Sequence, residues 1–147
     1  MSELSMTTEE REAFLADVHV GIISIAADGR APLTVPVWYA YEPGGLVTVL
    51  TGPGSQKARL LERARRFALC AQTESVPYKY VSVEGPVTSW EEGVDESERT
   101  AIAQRYLGDF APMYLEATKD GVNITLRMRP ERWLTVDYAK QFGDVTS

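Results

Sequence analysis

The amino-acid sequence predicts a mainly β domain, a small closed antiparallel barrel with helices on its outside. Two observations carry this expectation. Strand-like segments outnumber helical ones, and most have apolar residues on at least one face. Turns rich in Gly, Pro and Asp-Gly separate them, as in antiparallel strands.

Thr7 with Glu10 three residues on makes a capping-box pattern, so a helix begins at Thr7 or Thr8, with Phe14, Leu15 and Val18 on one side. Residues 20–27 form the first strand, ended by Asp28-Gly29, which tolerates positive φ and suits a tight hairpin. Residues 33–41 and 46–51 follow as strands across the turn Glu42-Pro-Gly-Gly45, and the three read as a meander. Gly52-Pro-Gly54 breaks the third strand, and Ser55 caps a helix running to about Arg65. Residues 67–73 and 78–90 are further strands, the second long and bent at Gly85-Pro86. Residues 94–107 and 110–117 are helical. In 122–128, Val122, Ile124, Leu126 and Met128 alternate with Asn123, Thr125 and Arg127. Residues 133–138 extend that strand or start another.

The chain of 147 residues suits one domain over 1–147 with a real core. A formal net charge of −6 disfavours nucleic acid or an anionic membrane surface as a partner. The single cysteine, Cys70, cannot make an internal disulfide, and its apolar neighbours suggest a buried thiol. The acidic first ten residues lack a signal-peptide pattern, and no apolar run approaches the length of a membrane span, so a cytoplasmic protein is expected.

The only histidine is His19, so neither a His/Cys metal site nor a Ser-His-Asp triad with a Gly-x-Ser-x-Gly elbow is expected, and no metal is. Walker and Rossmann glycine patterns are absent. Glu91-Glu92 and Asp95-Glu96 read as a solvated helix entrance. The most suggestive segment is 49–61, where a strand ends, a glycine-rich turn follows and a helix opens with Ser55 and Lys57. Free N–H groups there attract an anion, Ser55 adds a hydroxyl, Lys57 a charge and Arg59 a second charge. The alternative is an ordinary junction with Arg59, Arg63, Arg65 and Arg66 on a solvated face and Glu62 paired to Arg66. Pro36 marks an edge strand or a bulge, since proline cannot donate to a ladder. A bulge beside Trp38 would turn the backbone toward a planar ligand; otherwise Trp38, Tyr39 and Tyr41 simply pack.

The opening helix, residues 20–29, Val35-Pro-Val-Trp38, Thr51 with Ser55-Gln-Lys57, and Val81-Ser-Val-Glu-Gly85 together resemble the pyridoxamine 5′-phosphate oxidase-like superfamily of split-barrel flavin proteins. Within it they look closest to the actinobacterial branch of coenzyme F420-dependent reductases. The resemblance runs from about Thr7 to Tyr138. It implies a six-stranded antiparallel split β-barrel that pairs as a homodimer, with pockets at the subunit interface. In this reading Val35, Pro36, Val37 and Trp38 line the flavin or deazaflavin ring. Leu50, Thr51, Ser55, Gln56 and Lys57 hold the ribityl-phosphate region, with Arg59 beyond them. Tyr80 lies near the ring's polar edge, and Arg132 and Trp133 reach the pocket through the C-terminal strand of the partner subunit.

There are departures. The vitamin B6 oxidases use an Arg and a Lys on the second strand against the FMN phosphate, and those positions hold Val35 and Ala40 here. Their Arg-Lys pair after the serine is Gln56-Lys57, and their C-terminal Arg/His signature is missing. Each lost charged hydrogen bond weakens FMN binding by about 1.5–3 kcal/mol. A phosphodiester with a glutamate tail, as in coenzyme F420, fits Lys57, Arg59 and outer basic residues better. The resemblance thus implies an F420-dependent oxidoreductase moving a hydride between the deazaflavin and a small unsaturated organic substrate. Its catalytic residues are not identified, and Tyr78, Tyr80 or solvent supplies any proton. The alternatives are an FMN-binding flavin reductase or oxidase, a non-catalytic cofactor-binding protein, and a purely structural dimerisation domain.

Overall fold

The computed structural model describes residues 3–142; the ends of the expected 1–147 domain lie outside the described residues. In chain order the elements are α1 (Thr8–Ala16), β1 (Gly21–Ile25), β2 (Leu33–Val37), β3 (Val47–Thr51), α2 (Gln56–Ala64), β4 (Arg66–Gln72) and β5 (Lys79–Glu92). After these come α3 (Glu96–Leu107), α4 (Ala111–Ala117), β6 (Ile124–Met128) and β7 (Arg132–Asp137).

The ladder runs β2-β1-β4-β5-β6-β3, antiparallel throughout. Its two ends meet just past β2, where Ala40 and Thr48 exchange reciprocal backbone hydrogen bonds of 3.0 and 2.9 Å. Six strands thus curl round and touch at one bridge, which is the split barrel the sequence predicted. Residues 132–137 start a strand of their own, β7, which pairs with β5 outside this path.

The long β5 joins the two halves. Its first part pairs with β4 and β7, its second with β6, and the register shifts between Val87 and Ser89. The bend expected at Gly85-Pro86 is where the β6–β7 corner crosses. A Cβ on Gly85 would lie 1.8 Å from the Arg129 carbonyl oxygen, so only glycine fits there.

The expected three-strand meander is not formed. Beyond the Ala40–Thr48 bridge, β3 leaves β2 and pairs with β6, setting Val47 against Met128, Val49 against Leu126 and Thr51 against Ile124. All six are buried, so this register places two inward rows side by side on the core face, which β2 with only Val37 buried cannot match. The tight hairpin at Asp28-Gly29 is also replaced by a longer loop, residues 26–32. Gly29 alone takes positive φ there, at +71°, and Pro32 has no N–H to continue the ladder.

The capping box of α1 is present, with Thr7 Oγ1 accepting from the Glu10 N–H at 3.1 Å and Glu10 Oε1 accepting from the Thr7 N–H at 2.8 Å. The helix stops at Ala16, two residues short of the apolar face expected to reach Val18, and Val18 is exposed. The core inside the barrel is apolar, built on Ile23, Ile25, Leu69, Val81, Val83 and Leu126, with Leu15 and Leu61 closing it from α1 and α2. Among the described residues no helix is long and apolar enough to cross a membrane.

Candidate functional site

A cavity of about 590 Å³ lies between the barrel and the α3–α4 pair. One wall comes from the barrel: Pro36, Val37 and Trp38 at the end of β2, Leu50 on β3, Lys57 in the first turn of α2, and Asn123 just before β6. The facing wall is helical, with Arg99, Ile102 and Ala103 on α3 and Tyr114 and Thr118 on α4.

The barrel wall follows from local sequence. Pro36 stands opposite Ile22 with no register shift, on a strand that ends the ladder. It marks an edge, and the bulge expected beside Trp38 is absent; the register irregularity is on β5 instead. Thr51 and Ser55 share a hydroxyl hydrogen bond of 3.1 Å, and Ser55 Oγ accepts from the Ala58 N–H at 3.1 Å, which caps α2. Among the described residues, the N–H groups of Gln56 and Lys57 meet no protein acceptor, as is usual at the start of a helix.

The helical wall is docked by side chains. The Tyr106 hydroxyl donates to the His19 carbonyl at 2.7 Å and accepts from the Tyr39 N–H at 3.1 Å. Its ring stacks on Trp38 at 5.1 Å and 4°, and Tyr114 tilts against the same indole at 5.3 Å. Trp38 therefore borders the cavity with one face already covered. Arg105 donates to the carbonyls of Ala16 and Asp17 at 2.8 and 2.6 Å. At the other end of α3, Glu98 takes a two-pronged contact from Arg127 at 2.7 and 2.9 Å, and Arg127 also donates to Thr48 at 2.9 Å. The Glu98 carboxylate raises the Arg127 pKa further.

Two cations face the cavity in different states. The Arg99 guanidinium is paired to Glu96 and also donates to Thr118 Oγ1 at 3.0 Å and to the Leu115 carbonyl at 3.3 Å. Lys57 is half-buried and has no carboxylate or carbonyl partner among the described residues. Burial pushes its pKa below the usual lysine value.

Of the residues singled out in the sequence, Pro36, Val37, Trp38, Leu50 and Lys57 line this cavity together. Val35 packs against the core outside the cavity lining, and Thr51 is buried under the Ser55 cap. Gln56 and Arg59 are exposed outside the cavity lining, and Arg59 donates to the Gly54 carbonyl at 2.6 Å. Tyr80 sits on β5 between Gln72 and Val136, away from the cavity lining. Arg132 and Trp133 lie on β7; Trp133 packs edge-on to Tyr41 and under the Arg11 guanidinium. The Glu62–Arg66 pair is not formed, because Arg66 reaches Glu131 at 3.2 Å instead.

His19 stacks on Phe14 with its Nε2 within 3.0 Å of the Phe14 carbonyl, and burial holds its pKa below the ordinary value. Cys70 is half-buried, and burial raises its thiol pKa. Neither lines the cavity. Arg99, Tyr114, Thr118 and Asn123 escaped the sequence reading. Only the four-residue spacing of Ile102 and Tyr106 hinted at an inward face on α3.

Several solved structures share this fold. A conserved hypothetical protein of Mycobacterium tuberculosis superposes with a TM-score of 0.73 at 20% identity, covering 96% of this chain and 91% of its own. An F420 reductase gives 0.67 at 18% identity, covering 84% and 94%. A FAD-binding protein of Mesorhizobium loti gives 0.60 at 23%, covering 89% and 94%. No curated protein matches the chain. The sequence profile described as pyridoxamine 5′-phosphate oxidase matches residues 7–137, spanning α1 through β7, including the barrel wall of the cavity and the helices facing it. By its sequence and its split barrel alike, the chain belongs to the pyridoxamine 5′-phosphate oxidase family.

Proposed function

We propose that this protein is an oxidoreductase that holds a flavin-type cofactor in the cavity between barrel and helices, with coenzyme F420 favoured over FMN. The observation that carries the reading is Lys57, a half-buried ammonium without a protein partner among the described residues, bordering a space of about 590 Å³ walled by Pro36, Val37, Trp38 and Leu50. That volume lies within the roughly 300–1,000 Å³ of small-molecule sites, and its lining is mostly apolar and aromatic with few polar groups, as such sites are. The related F420 reductase and FAD-binding protein, similar in fold, support a flavin-type ligand.

Charge favours the deazaflavin. A terminal phosphate monoester carries between one and two negative charges at neutral pH, a phosphodiester one. Among the described residues the cavity offers one unpartnered ammonium, since the Arg99 charge is met by Glu96, Val35 and Ala40 bring no charge, and Gln56 is neutral.

When bound and reduced, such a cofactor supplies a hydride to an unsaturated bond of a small organic substrate. The protein's own part is placement. Lys57 holds the anionic end, the β2 edge and Leu50 support the flat ring, and the α3–α4 wall excludes water from the reacting face. Val20 and Tyr114 line the cavity yet remain exposed. A second copy of the chain covering this mouth would close the site, and a homodimer belongs to the same proposal.

Titration of the purified protein with F420 and with FMN, followed by fluorescence, tests this. Micromolar binding of F420 with weaker FMN binding is expected. Tighter FMN binding reverses the choice of cofactor, and binding of neither removes the proposal. Lys57→Ala should weaken F420 binding by about 1.5–3 kcal/mol with little change in fold stability.

A further inference from the structure

We infer that Asn123 is a second ligand-holding group of the cavity, its side-chain amide donating alongside the Lys57 ammonium to one anionic group of the bound molecule, a phosphate or a carboxylate. This rests on the reading of the cavity as a cofactor site, and it adds a residue outside the barrel turn that carries Lys57.

The register brings the two together. Ile124, next to Asn123, pairs with Thr51 at the end of β3, and Lys57 lies in the first turn of the helix that follows this strand end. Both border the same cavity. The Asn123 backbone is fixed, because its carbonyl accepts from the Gly93 N–H at 2.7 Å and Ile124 is paired to both Thr51 and Glu92. Its side-chain amide is half-buried and meets no protein hydrogen-bond partner among the described residues.

The other polar groups of the cavity differ. Thr118 Oγ1 donates to the Tyr114 carbonyl at 2.8 Å and accepts from Arg99, so both are already engaged within the helical wall. Neither donor is fully buried, so each stays within reach of a ligand that enters the cavity. An ammonium supplies charge without direction, and a planar amide supplies direction without charge. Together they define one oxyanion position more sharply than Lys57 alone.

The test uses Asn123→Ala and Asn123→Asp in the full chain. Titrated with F420 and FMN, Asn123→Ala should lose about tenfold in affinity for whichever cofactor the wild type binds, with an unchanged melting temperature. Asn123→Asp should lose more, with a deficit that shrinks as salt is added. In ligand-free protein, the Lys57 ammonium of Asn123→Asp, followed by side-chain nitrogen NMR, should titrate at higher pH than in the wild type. Wild-type affinity in Asn123→Ala, or an unmoved Lys57 titration in Asn123→Asp, overturns the inference. If neither cofactor binds the wild type, the cofactor reading fails, and the Lys57 titration still decides whether the two groups share a site.

Discussion

The two walls of the cavity are held by different forces. The barrel wall sits on backbone ladders: Pro36 and Val37 are paired to β1, Leu50 to β6, and Asn123 directly precedes a paired residue. The helical wall has no ladder. It hangs from the Tyr106 hydroxyl, the Arg105 guanidinium and the Glu98–Arg127 fork, each spanning at least 29 residues of sequence. A ladder shared among many strands gives way only as a unit, whereas a few side-chain anchors give way one at a time. The barrel wall is therefore the fixed seat for a ligand, and the helical wall is the part single substitutions can loosen.

The largest effect is expected where the barrel wall depends on one backbone crossing. Gly85→Ala sets a methyl 1.8 Å from the Arg129 carbonyl oxygen, with the Arg129 carbonyl carbon and the Glu131 nitrogen close behind. Relief requires the β6–β7 corner to lift from β5. A loss of about 4 kcal/mol or more, or failure to fold, should appear in urea denaturation. Near-wild-type stability would mean that the corner slides freely and the barrel wall is no more rigid than the helical one.

Tyr106→Phe attacks the helical wall without touching a ladder. It removes the bond to the His19 carbonyl and leaves the Tyr39 N–H without its acceptor. A loss of about 1–3 kcal/mol is expected, with the far-ultraviolet spectrum of the barrel retained. Because the ring stacked on Trp38 then loses its anchor, the near-ultraviolet aromatic signal should change as well. A stability loss with an unaltered aromatic signal would show that stacking alone holds Trp38.

Glu98→Gln is gentler. The fork to Arg127 keeps one hydrogen bond and loses its charge, and Arg127 retains Thr48 and the more distant Glu91 at 3.7 Å. Both side chains are roughly a quarter exposed, so about 1 kcal/mol is expected, falling as salt rises. An effect as large as that of Gly85→Ala would mean that the fork organises the barrel itself.

The same division explains what the sequence made legible. Turns, caps and period-two alternation are local, so the Thr7 capping box, the Ser55 cap, β6 and the barrel wall apart from Asn123 were readable from short windows. Lys57 was readable because it opens a helix after a glycine turn. Which strand accepts β3 was not, since that choice compares inward rows 73 to 81 residues apart. Arg99, Tyr114 and Thr118 were hidden for the same reason. An arginine on a charged helix looks solvated until its acceptors, supplied by the next helix, are known.

The smallest effect is expected at the seam where the two walls meet. The His19 carbonyl anchors Tyr106, while its ring is packed on Phe14. Burial is the main cause that lowers the His19 pKa from its usual 6.5; Arg105 adds to it, and the Phe14 carbonyl and Asp17 oppose it. The folded protein thus takes up a proton less readily than the unfolded chain. Stability should be full above pH 6.5, decline as pH falls below 6.5 through the lower folded pKa, and level off beneath it. The slope should stay below one proton per molecule. Glu10 and Glu131 are shifted in the opposite sense relative to charge, with pKa values held below 4.5 by Lys140 and by Arg129 with Arg66, so their losses begin at lower pH and leave the His19 window separate. Urea denaturation between pH 5 and 8 reads the slope, and His19→Gln should flatten it. Tyr106→Phe should keep it, because the hydroxyl binds the carbonyl and not the ring. If Tyr106→Phe flattened the curve as well, the ring and the anchor would be one coupled unit, and the two walls would not be held independently.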